Sequence, residues 1–129
     1  MRSEVRHDSK LFRELSRSLL KQGISIRFLV QGRSMFPAIA NGETVEVESR
    51  KAGRGDVLLL ETDDGLRVHR LRGSVDDKIV TRGDSCLESE TAHADAVYGR
   101  VSTVIGPNGS RSPGRLAQFV RRFCRLFGF

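Results

Sequence analysis

The chain has 129 residues, 38% hydrophobic and 29% charged, with a formal net charge of +6. That length holds one domain with short appendages and can bury a core without disulfides or metals. The positive excess lies at the two ends, +3 over residues 1–22 and +5 over 111–129, while residues 23–110 carry −2. A body built to wrap phosphate backbones would carry the charge itself, so no nucleic-acid partner is expected.

Met1 to Lys10 is polar and carries both charge signs, unlike a secretory signal peptide. Ser9 to Gln22 predicts a helix. Leu11, Phe12, Leu15, Leu19 and Leu20 recur at helical spacing, with Ser9 as N-cap and Gly23 as stop. From Ile24 to Ile105 the texture changes to short β-branched runs broken by Gly, Asp and Asn. Strands are predicted over Ile26–Gln31, Thr44–Glu48, Val57–Glu61, Arg67–Arg72, Lys78–Thr81 and Tyr98–Ile105. Thr44 to Glu48 alternates as a strand with one wet face. Asp63-Asp64-Gly65 marks a hairpin, and Ser74 to Asp77 a second turn. The longest aliphatic run, Val57 to Leu60, is far short of the roughly 20 residues that span a bilayer. Gly106–Gly114 reads as a linker. Arg115–Phe129 predicts a final helix with Leu116, Phe119, Val120, Phe123, Leu126 and Phe127 on one face. Its arginines lie largely away from that face. This pattern suits either packing on the core or an interfacial helix on anionic lipid, with Phe119, Arg121, Arg122, Phe123 and Phe127 as membrane-contact candidates. The expected architecture is therefore mainly β, with a core over 24–105 flanked by an N-terminal helix over 1–23 and a C-terminal helix over 115–129.

The two cysteines, Cys86 and Cys124, show no paired spacing, so neither a disulfide framework nor a zinc site is expected. The stretch Gly32-Arg33-Ser34-Met35-Phe36-Pro37 follows a predicted strand. A serine at such a junction can present its hydroxyl at a sheet edge, and Pro37 stiffens the turn. A nucleophilic serine needs a base. His7 and His93 fall in polar segments, and only His69 sits inside a predicted strand. A carboxylate to orient the imidazole is available from Asp84, in Thr81-Arg82-Gly83-Asp84, or from Glu90. Each of these residues alone also has an ordinary structural reading. Together they form a Ser-His-acid set.

In this order "GRSMFPAIANGETVEVE", "GRGDVLL", "VHRL", "VTRGDS" and "VYGRVSTVI" resemble the boxes of the serine peptidase superfamily that holds signal peptidase I and the self-cleaving SOS-type repressors. The resemblance spans about residues 24–105 and implies the β core of that superfamily. It places the nucleophile on Ser34 and, through the His69-Arg70 pair, a histidine base on His69, as in the archaeal and endoplasmic-reticulum type. Gly83-Asp84 and Glu90 match the family's acids, either of which would orient the imidazole. The implied reaction is acyl transfer on a precursor peptide or protein, without metal or cofactor. The backbone N–H of Ser34 would serve the oxyanion, with Gly32, Arg33, Met35 and Pro37 shaping the substrate side. A histidine base, ordinarily titrating near about 6.5, predicts activity that falls below about pH 6. The chain departs from the family in Gly42-Glu43, where the box has Gly-Asp. It also has Gly32, where bacterial signal peptidases often carry an assisting serine. The family's membrane-anchoring helices have no counterpart here, so the expected place is the cytoplasm or a membrane surface. A non-catalytic peptide-binding descendant of the same fold is the other reading.

Overall fold

The computed structural model describes residues 4–5 and 9–114; the predicted C-terminal helix and its candidate residues Phe119, Arg121, Arg122, Phe123 and Phe127 lie outside them. The described residues form β1 (Glu4–Val5), α1 (Lys10–Lys21), β2 (Ile26–Gln31), β3 (Thr44–Glu48), β4 (Val57–Thr62), β5 (Gly65–Val75), β6 (Lys78–Arg82), β7 (Glu90–His93), a 3-10 turn at Ala94–Ala96, β8 (Val97–Gly106) and β9 (Gly109–Arg111).

The helix starts and stops where its residue types require. Ser9 Oγ accepts the Phe12 N–H at 3.1 Å. Gly23, at φ +83, takes the left-handed position beyond the C-cap. Ile24 then donates to the Leu19 carbonyl at 3.0 Å, closing the helix end. Only part of the predicted apolar face is used. Leu20 is buried and Phe12 packs edge-on against Phe28 at 5.8 Å, whereas Leu11 and Leu15 are exposed. The inward line runs through half-buried Phe12 and buried Ser16 and Leu20, one turn apart each time. Arg17, stacked 5.0 Å from the Tyr98 ring, fixes the helix against β8.

The strands form a nine-stranded antiparallel sheet in the order β1-β2-β3-β8-β4-β5-β6-β7, with β9 on β8. β1 also pairs with β5 through Glu4 and Arg67, so β1, β2, β3, β8, β4 and β5 close a ring of pairings. Strand alternation then sorts side chains to two faces. Inside the ring lie Phe28, Val30, Val45, Val47, Leu59, Val68 and Val104, all buried. On the opposite face of β4, β5 and β6, Leu58, Leu60, Leu71 and Ile79 form a second, smaller buried cluster. β5 continues past the ring to pair with β6, and β6 pairs with β7. Three register shifts, on β3–β8, β4–β8 and β5–β6, supply the local bends a closed sheet needs.

The turns follow local chemistry. Thr62 faces Gly65 across a two-residue turn. Asp76 takes φ +56 in the next one, a left-handed position that Asp tolerates better than most residues. The predicted linker is instead partly ordered, since Gly109–Arg111 folds back on β8.

Candidate active site

The loop after β2 is built as a plug. Val30 and Glu43 pair beyond the end of the β2–β3 ladder, and Gly42 donates to the Val30 carbonyl at 2.8 Å. The twelve residues between Val30 and Glu43 are pinched into a compact loop. Met35, Ala38 and Ile39 are driven into the main core with no exposure. Gly32, at φ +102, turns the chain where a side chain would be strained, and donates to Asn41 Oδ1 at 2.8 Å. Ser34 is therefore held by the burial of the residue that follows it and is itself only 2% exposed. Arg33 and Phe36 point outward.

Two anchors join this loop to β5, one on each side of His69. On the first side, Gln31 pairs with Glu4, which also pairs with Arg67, two residues before His69. On the second side, the chain after β6 is pressed onto Ser34. Ser85 donates to the Ser34 carbonyl at 2.8 Å and its hydroxyl to the Phe36 carbonyl at 2.6 Å. A Cβ on Gly83 would lie 2.7 Å from Ser34 O, 2.9 Å from Ser34 Cβ and 2.8 Å from Cys86 Sγ. Gly83 follows Arg82, whose ladder partner is Arg70, the residue after His69. His69 thus occupies the stretch of β5 between the end of β1 and the start of the β6 ladder. Its side chain is 3% exposed and shares a face with Leu58, its partner on β4.

No family model, curated protein or solved structure matches this chain.

The two acids have other partners in this arrangement. Arg70, fully buried, grips Asp84 with two parallel hydrogen bonds of 2.8 and 2.7 Å. Glu90 lies 2.6 Å from Arg67. Both arginines belong to β5 and flank His69. Sequence reasoning missed this pairing, although the run Arg67-Val68-His69-Arg70-Leu71-Arg72 carries its signal. Arginines inside a strand that packs on both faces need carboxylates. His93, set aside at the sequence level, bridges Asp77 at 2.9 Å and Asp95 at 3.3 Å. Glu43 accepts the Ala40 N–H at 2.7 Å and both ends of the Arg111 guanidinium. The Arg111 hydrogen bond holds its carboxyl below the ordinary range, against the opposing effect of burial.

A cavity of about 530 Å³ opens beside this region, lined by Glu61, Asp63, Asp64, Arg67, Glu90 and His93 among others, but not by Ser34 or His69. Among the described residues no group of three or more His, Cys, Asp or Glu could hold a metal ion. Nor is any described helix long and apolar enough to cross a membrane.

Proposed function

We propose that the chain is a small serine endopeptidase of the signal-peptidase type, acting on a precursor peptide or protein. The observation that carries this reading is the double anchoring of the Ser34 loop on both sides of His69. That double anchoring supports a site shared by the Ser34 hydroxyl and the His69 imidazole. In the proposed reaction, His69 takes the Ser34 Oγ proton as Oγ attacks the peptide carbonyl carbon. The oxyanion is met by backbone N–H groups of the tight loop. His69 then returns the proton to the leaving amine, and water, deprotonated in turn by His69, releases the acyl group from Ser34. The signal-peptidase-like core belongs to the same proposal, supported by the ordered sequence boxes and by the closed antiparallel β architecture.

One observation favours the second reading, a non-catalytic peptide binder. Ser34 and His69 are only 2% and 3% exposed, so little of either side chain is open to a substrate. A peptide library incubated with the purified protein separates the two readings. Cleavage lost in both Ser34→Ala and His69→Ala is the expected result. Cleavage retained in either variant would sink the dyad, and peptide binding without cleavage by the wild type would favour the binder.

A further inference from the structure

Two triplets of the same composition occur in this chain, Arg54-Gly55-Asp56 and Arg82-Gly83-Asp84. In each, the aspartate is engaged within the fold. Asp56 accepts the Gly53 N–H at 2.7 Å and lies 3.5 Å from Arg100. Asp84 is gripped by Arg70 through both oxygens. The arginines of the triplets stay nearer the solvent, Arg54 exposed and Arg82 half-buried.

Backbone pairing gathers these arginines around one stretch of β5. Arg82 is the ladder partner of Arg70, and directly paired residues share a face. The first triplet runs beside the next residue of β5. Gly55 donates to the Leu71 carbonyl at 2.9 Å, and Leu71 donates to the Asp56 carbonyl at 2.8 Å. Arg72 follows, at the register shift between Leu71 and Gly73, where no residue of β6 is registered opposite it. A bulge of this kind re-aims a side chain out of the ladder. Arg72 is half-buried, and its Nη1 has no hydrogen-bond partner among the described residues.

The charge around Arg72 is one-sided. Burial first, then repulsion from Arg82, Arg54 and Arg70, holds its guanidinium below the ordinary arginine value, and Asp84 acts in the opposite direction. That carboxylate already gives both of its oxygens to Arg70. Arg54, Arg70, Arg72 and Arg82 therefore share a single interacting carboxylate. An excess of like charge at a partly buried head is costly until an anion offsets it.

We propose that Arg72 and Arg82 bind a phosphate group at this bulge, while Arg54 and Arg70 keep their own partners and add positive field. A phosphate group carries about 1.5 to 2 negative charges at neutral pH and at least three acceptor oxygens. That suits two guanidinium forks at once. A carboxylate brings one charge and two oxygens, which Asp84 already supplies to Arg70 alone. The group comes either as the free ion or on a lipid headgroup. The proposal is independent of the Ser34–His69 reading.

The test follows the arginine Nε–H signals of the full chain by NMR, at constant ionic strength. Inorganic phosphate is the first probe and a soluble short-chain phosphatidic acid the second. The Arg72 and Arg82 signals, assigned from Arg72→Gln and Arg82→Gln, should shift saturably. Each of these variants should weaken binding about tenfold, read from the remaining signal, whereas Arg27→Gln, on β2, should leave it unchanged. Saturation by inorganic phosphate supports the free ion as ligand. Saturation by phosphatidic acid alone supports the headgroup. Urea denaturation gives a second readout that a purely structural arginine would not show. Arg72→Gln should hold or raise the midpoint without either probe, because it removes repulsion. The probe that binds should raise the midpoint of the wild type more than that of Arg72→Gln. No saturable shift with either probe overturns the proposal, and so does binding that both glutamine variants leave unchanged.

Discussion

Gly83 is the residue at which the site is most tightly specified. A Cβ there would meet the Ser34 backbone and side chain as well as Cys86, all under 3 Å. Two of those three atoms belong to a loop locked by the buried Met35, so the strain cannot be shed by a flexible side-chain end. Gly83→Ala should therefore cost about 1–3 kcal/mol, the range for an overpacked site. It should also displace Ser34, slowing any labelling by a serine-directed fluorophosphonate at least tenfold. Urea denaturation and labelling kinetics on the same variant check both parts. Unchanged stability would mean that the contact is not there in solution. At this scale the sequence showed Ser34, His69, Asp84 and Glu90 as residue types in a meaningful order. It did not show the partners of the acids. Those depend on which face of β5 each arginine takes and on where β6 and β7 end, both set by pairing register rather than by composition.

At the scale of elements, the legible strands were those with a core face. β2 and β3 were readable to the residue because buried Val and Phe alternate with less buried side chains along them. β7 leaves little signal in the sequence because Glu90-Thr91-Ala92-His93 sits at a sheet edge and buries nothing fully. β9 is fully exposed and owes its place to one interaction beyond its ladder. Arg111, at its end, reaches Glu43 with contacts of 2.6 and 2.9 Å and the Ala38 carbonyl at 3.0 Å. This clamp joins β9 to the plug loop that carries Ser34. Glu43 titrates below its ordinary value, chiefly through the Arg111 hydrogen bond. A folded-state value below the unfolded one adds stability at pH above the ordinary carboxylate range. That stability is lost as pH falls through the lowered value. Glu43→Gln should therefore cost about 1–2 kcal/mol near neutral pH, a modest amount because Arg111 is partly open to solvent. The deficit should shrink as the pH is lowered through the carboxylate range. Urea midpoints of wild type and variant at several pH values test this; a constant difference would exclude titration of Glu43 as its source.

For the whole molecule, Arg70 is where separate parts of the chain meet. Its guanidinium donates to Asp84 on the loop that touches Ser34, to the Gly55 carbonyl ahead of β4 at 2.8 Å, and to the Gly114 carbonyl beyond β9 at 2.6 Å. Those three segments share no strand with one another, so a buried cation at one point of β5 fixes their relative positions. Such a charge is tolerable because its donors are met. Asp84→Ala would leave the guanidinium buried beside an empty acceptor position, at a cost of about 3–5 kcal/mol. Replacing both partners, as Arg70→Met with Asp84→Leu, removes the stranded charge but also takes the donor away from Gly55 and Gly114. The double variant should thus recover part of the loss and not all of it. A double-mutant cycle by chemical denaturation measures the coupling. Additive effects would mean that the two side chains act independently and that Asp84 is free to serve another group, His69 included. Strong coupling would leave Asp84 to hold the site loop in place.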